Sequence, residues 1–142
     1  MKRLVLLLVV AATAIAASAT SATASNEPVR LGFDKSISNP VALVWTGSVS
    51  GDASGALTTR LTDLRISGPV WHVRFDWIID AGAHSFVADL TGTLNTVTGQ
   101  VVMNGTVVDG WLRGAQVHEE GQLVDPATLR FVGEIRIAPA SA

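Results

Sequence analysis

Trp71-His72-Val73-Arg74-Phe75-Asp76-Trp77-Ile78-Ile79 decides the fold, because its large apolar residues fall on every second position. Trp71, Val73, Phe75, Trp77 and Ile79 share one face, and His72, Arg74, Asp76 and Ile78 share the other. That period of two is the signature of a half-buried β-strand, whereas a helix would scatter the same rings around its circumference.

The pattern continues toward the C-terminus. Asp80-Ala81-Gly82-Ala83 reads as a hairpin turn, and Phe86, Ala88, Leu90, Gly92 and Leu94 form the apolar face of the next strand. A polar turn over Asn95 to Gly99 leads to Val101, Met103, Gly105 and Val107, and Asp109-Gly110 is a dipeptide that tolerates the positive φ of a tight hairpin. Trp111 to Leu123 is expected as one long strand, and Asp125-Pro126 opens the last turn. Leu129, Phe131, Gly133, Ile135 and Ile137 close the domain, with Arg130, Val132, Glu134 and Arg136 on a face that meets water.

Toward the N-terminus, Gly68-Pro69 punctuates and Leu57 to Ile66 alternates again, with its phase ambiguous near Leu64 and Ile66 as a β-bulge would make it. Ser50-Gly51-Asp52-Ala53 turns the chain, preceded by Val41, Leu43, Trp45, Gly47 and Val49 on one face. About eight strands joined by short hairpins predict an all-β, antiparallel small β-barrel. Gly47, Gly92, Gly105, Gly114 and Gly133 fall inside the expected strands, where glycine permits the sharp coiling a narrow barrel needs.

The first residues have another purpose. Met1-Lys2-Arg3 is followed by an apolar run from Leu4 to Ala17 and by Ala22-Thr23-Ala24, the layout of a secretory signal peptide cleaved after Ala24. The expected organisation is therefore a leader at 1–24 and one barrel domain at 25–142, secreted or held outside the cytoplasm in a periplasm or cell envelope, with no stable membrane insertion after cleavage. Losing Lys2 and Arg3 moves the formal charge from −2 to −4. Phosphate recognition needs clustered cations, so nucleic acid is not an expected partner. With no cysteine, an exported domain has no disulfide, no thiolate metal ligand, no catalytic thiol and no site for lipoprotein acylation. Its stability must come from apolar burial and a hydrogen-bonded ladder with few open edges.

Chemistry is harder to read. If the aromatic phase points inward, Trp45, Trp71, Phe75, Trp77, Phe86 and Trp111 are candidates to line a hydrophobic ligand pocket, with Phe131 also inside; the same rings could equally fill a solid core. Asp63 and Arg65 continue the face of Leu57 and Leu61 if no bulge intervenes, and Arg113 and Glu119 continue that of Trp111, Ala115 and Val117. An inward charge demands a partner or an accessible pocket. Three arrangements are open: strand-end side chains that reach solvent, a buried structural network, or a ligand-facing cluster in which Glu119 is the candidate acid or base and Arg113 the candidate to hold an anionic group. His72, Arg74 and Asp76, and His118 with Glu120, read as solvated sheet faces, so no metal site is assigned. No phosphate loop, nucleophile elbow or other catalytic motif appears, and no cofactor is implied.

Trp45-Thr-Gly-Ser-Val-Ser-Gly51, Gly55-Ala-Leu-Thr58, Leu90-Thr-Gly-Thr-Leu94, Thr98-Gly-Gln-Val-Val-Met-Asn-Gly105, Gly110-Trp-Leu-Arg-Gly114 and Phe131-Val-Gly-Glu-Ile135 together resemble the bacterial allene oxide cyclase barrel-like proteins, a family related in fold to dirigent proteins. The resemblance implies an eight-stranded, calycin-like antiparallel barrel with an apolar cavity in which a reactive intermediate is confined while it cyclises or couples, and it makes a homo-oligomer conceivable. It carries no catalytic residue onto a numbered position here. Three readings stay open: a binder of a hydrophobic small molecule, a cofactor-independent cyclase or isomerase, and a structural or interaction barrel with a filled core.

Overall fold

The computed structural model describes residues 27–138. The expected leader and the tail beyond Ala138 lie outside the described residues. Eight strands follow in order: β1 Val29–Asn39, β2 Val44–Gly51, β3 Gly55–Ser67, β4 Val70–Asp80, β5 Phe86–Asn95, β6 Gln100–Gly110, β7 Gln116–Asp125 and β8 Arg130–Ala138. Each pairs antiparallel with the next, and β1 pairs with β8, so the sheet closes into a barrel with no free edge. A single 3-10 turn at Gly82–His84 joins β4 to β5.

Alternation fixes which side chains enter the lumen. In β4, Val73, Phe75, Trp77 and Ile79 are buried and Arg74 is exposed. Leu31 and Phe33 from β1, Leu57 from β3, Leu90 from β5, Val117 from β7 and Ile135 and Ile137 from β8 join them in one continuous core. Inside β2, β5, β6 and β8, a Cβ at Gly47, Gly92, Gly105 or Gly133 would collide with the backbone carbonyl of Asp34, Val102, Asp89 or Glu120 on the neighbouring strand. Coiling has turned these side-chain positions into the adjacent strand, so only hydrogen fits.

Four sequence expectations are corrected. The first strand is Val29–Asn39, ahead of the region read as strand, while Val41 lies in the β1–β2 turn and is 93% exposed. The bulge in β3 falls between Leu61 and Asp63, earlier than the ambiguous phase at Leu64 and Ile66 suggested, and turns Asp63 and Arg65 out to solvent. Asp109-Gly110 ends β6 instead of forming the hairpin: Val107 donates to Ala115 O at 3.0 Å and Gly114 donates back to Val107 O at 2.9 Å, so the reversal lies between those residues. Trp111 to Gly114 therefore form the β6–β7 turn rather than the start of a strand, and Gly114 has the positive φ of a turn residue.

Candidate functional site

In an up-and-down barrel successive turns fall at opposite ends. One end carries the β2–β3, β4–β5 and β6–β7 turns with the start of β1 and the finish of β8. It is packed shut. Ala53, Ile79, Phe86, Val107 and Ala115 are each at most 7% exposed there. Above them the Trp111 ring lies 4.5 Å from that of His84 and 6.2 Å from that of Phe86.

The other end carries the β1–β2, β3–β4, β5–β6 and β7–β8 turns, and beneath them the lumen is hollow. Three of these turns are built alike. Asn39 Oδ1 accepts from Val41 and Ala42 N–H, Asn95 Oδ1 from Val97 and Thr98 N–H, and Asp125 Oδ1 from Ala127 N–H, each the Asx arrangement that reverses a chain locally. Four residues after each of them the backbone turns left-handed, at Leu43 (φ 57°), Gly99 (φ 78°) and Leu129 (φ 48°). Glycine accepts that conformation freely and leucine does so only at a cost. The two leucines hang over the cavity, and Trp45 Nε1 donates to Leu129 O at 3.0 Å, which ties the mouth to the wall.

The cavity has a volume of about 310 Å³. Trp45, Trp71, Phe75 and Phe131 supply aromatic wall, with Leu61, Leu64, Val73, Leu94, Val101 and Met103 between them. Two lining residues break the apolar pattern: Lys35 from β1, 4% exposed, and Glu119 from β7, 1% exposed.

Lys35 Nζ donates to Thr59 Oγ1 at 3.2 Å. Four rings surround it, with centroids at 4.5 Å (Trp77), 4.8 Å (Phe75), 5.7 Å (Phe33) and 6.0 Å (Trp45). Their negative faces attract an ammonium group, while removal from water disfavours one. Burial prevails: it pushes the Lys35 ammonium down to about 8, against the opposing pull of the Glu119 charge. Burial also pushes the Glu119 carboxyl up to about 7, with the Lys35 charge opposing it. Glu119 Oε1 and Trp77 Nε1 have no hydrogen-bond partner among the described residues. Buried polar atoms without partners are uncommon in folded proteins.

The structure brings some of the sequence candidates together and separates others. Trp45, Trp71 and Phe75 line the cavity with Glu119. Trp77 is fully buried and stands next to Lys35 as part of the layer beneath. Phe86 and Trp111 belong to the packed end, away from the cavity. Arg113 is exposed in the β6–β7 turn, also at the packed end, because the reversal there takes it out of the β7 alternation that carries Glu119 inward. It therefore cannot serve as the partner of Glu119. Sequence reasoning missed the second buried charge of the cavity, Lys35, although the signal was present: Leu31, Phe33, Lys35 and Ile37 alternate with Gly32, Asp34 and Ser36, placing a charge in an apolar phase as at Glu119. Outside, Arg130 forks onto Asp34 and Arg74 onto Asp89, and His118 Nδ1 lies 2.8 Å from Asn104 Oδ1.

Compared with known proteins, the chain matches no family model, no curated protein and no solved structure.

Proposed function

We propose that the protein takes a hydrophobic small molecule into the open end of its barrel. The observation that carries this reading is an apolar void of about 310 Å³ ending on a buried Lys35 and Glu119. At roughly 30 Å³ per water-sized unit, it suits a ligand of about ten non-hydrogen atoms. Rings and aliphatic side chains give such a ligand its affinity, and the two polar groups give it an orientation. The leader layout supports action outside the cytoplasm, and the motif resemblance supports kinship with the allene oxide cyclase barrel-like proteins.

A second reading is a cofactor-independent isomerase or cyclase. The specific observation in its favour is Glu119 Oε1, an unpartnered carboxyl oxygen on a cavity-lining residue whose affinity for protons burial has raised into the neutral range. A group in that state can both give and take a proton on a confined substrate.

Thermal unfolding with a panel of apolar compounds, followed by native mass spectrometry, tests the first reading. A true ligand at a hundredfold excess over its Kd stabilises the folded protein by about 2.7 kcal/mol. Val101→Phe, which fills the void from a lining position, should abolish the shift while leaving a folded barrel. Equal binding by that variant, or no stabilisation of the parent protein by any apolar compound, would refute the reading.

A further inference from the structure

We propose that Lys35 is a covalent anchor that captures a neutral apolar aldehyde or ketone as an imine, with Glu119 shuttling the protons. This inference rests on the ligand-binding reading above and narrows it to one class of molecule.

The composition of the barrel is the first support. Lys35 is the only lysine beyond Lys2, and the remaining cations are all arginine. The described arginines stand on the outside, where a permanently charged guanidinium is well solvated. The one lysine among the described residues is inside, where lysine differs from arginine in the one respect that matters: it can lose its proton and expose a nucleophilic lone pair. Its Nζ is 4.8 Å from the centroid of Phe75 and 6.0 Å from that of Trp45, two rings of the cavity wall, so the amine sits beside the void. Burial has already moved it part of the way toward the free amine.

Charge balance selects the ligand's polar group. Between about pH 7 and 8, where Lys35 and Glu119 share one titrating proton, the pair carries no net charge whether both are ionised or both are neutral. A carboxylate or ammonium ligand would add an uncompensated charge to a site shielded from water, at a high desolvation cost. A neutral carbonyl adds none, and its oxygen can accept the bond that Glu119 offers when protonated.

The chemistry then balances. The Lys35 lone pair adds to the carbonyl carbon, the C=O π pair moves to oxygen, and that oxygen takes the Glu119 proton. The nitrogen returns a proton to the Glu119 carboxylate, giving a neutral carbinolamine. Departure of the hydroxyl group as water, assisted by the same Glu119 proton, and loss of the last N–H proton to Glu119 leave the imine. One carbonyl compound and one amine are converted to one imine and one water, with no oxidant or reductant.

Cinnamaldehyde and cinnamyl alcohol, which match the cavity in size and differ only in the carbonyl, test this without any variant. The protein is incubated with each in the presence of cyanoborohydride, which reduces an imine to a stable secondary amine, and intact mass and peptide mapping follow; tryptophan emission reports non-covalent binding in parallel. The expected result is quenching by both compounds and a single adduct, equal in mass to the aldehyde less its oxygen, on Lys35 with the aldehyde alone. Lys35→Met should lose the adduct yet still bind the alcohol, and Glu119→Gln should slow trapping roughly a hundredfold. Binding of both compounds with no adduct, or with adducts only at Lys2 or the α-amine, overturns the anchor and leaves the binding reading standing. Absence of binding by both overturns the two together.

Discussion

The two ends of the barrel share strands, composition and wall geometry, yet one is solid and the other hollow. At the packed end Ile79, Phe86 and Val107 are at most 2% exposed. At the open end Leu43, Leu64 and Leu129 are 36–38% exposed around an apolar void. Close packing maximises dispersion contacts, so a void lined by leucine and tryptophan forgoes stability that the chain could have had. The difference teaches that the packed end holds the fold and the open end is spared from doing so.

Truncation should expose this division most strongly. Phe86→Ala removes a ring from a tight layer and should cost about 3–5 kcal/mol, whereas Leu61→Ala, at the edge of an existing void, should cost about 1 kcal/mol. Urea unfolding of the two variants checks the contrast. Equal losses would mean that the two ends support the fold alike.

A smaller effect, on the order of a few kcal/mol, separates the layer between the ends from both. Because the Glu119 carboxyl titrates near 7 when folded and near 4.5 when unfolded, the unfolded chain sheds a proton first as pH rises between those values, and stability falls across that window. The Lys35 ammonium is held down to about 8 from 10.5, so the unfolded chain retains its proton longer and stability recovers across that second window. Glu119→Gln should flatten the first window. It also withdraws the charge that supports the Lys35 ammonium, so the recovery should begin at lower pH. Denaturation midpoints measured from pH 4 to 11 would show whether the parent protein dips between the windows and the variant does not.

Smallest in stability is the expected effect of Leu129→Gly. Left-handed strain of about 1–2 kcal/mol is relieved, and a similar amount of half-exposed leucine contact is lost, so the urea midpoint should barely move. Ligand release should nevertheless become faster, since Leu129 covers the cavity. A large destabilisation instead would make Leu129 a structural residue.

Much of the barrel was legible because a period of two is imposed by backbone geometry on every strand, and the Trp71–Ile79 alternation survives intact as β4. What misled was local chemistry that interrupts the period. One extra residue at Thr62 is enough to expel Asp63 and Arg65, and a reversal after Val107 removes Trp111 and Arg113 from the strand that carries Glu119. Glu119 was visible as a charge in an apolar phase; Lys35 obeyed the same rule on a strand not recognised as one. The void itself has no sequence signature. Whether Trp45, Trp71 and Phe75 fill a lumen or border one depends on ring orientation and on barrel radius, and the latter goes with close backbone approaches of the neighbouring strand at Gly47, Gly92, Gly105 and Gly133, which alternation alone does not announce.

The seam between β1 and β8 remains. Every other ladder joins sequence neighbours through a short hairpin, but Val29 meets Ile137 only after the whole intervening chain has been laid down. Closing that loop carries the largest entropic penalty of any pairing, so annealing of the seam is expected to limit the folding rate. It also sets both ends of the strand circuit side by side, opposite the mouth. Splicing them with a short peptide and cutting the chain at the Gly68-Pro69 hairpin would relocate the slow step without disturbing the layers inside, whereas in the unpermuted chain a protein grafted beside Val29 or Ala138 would leave the aperture clear.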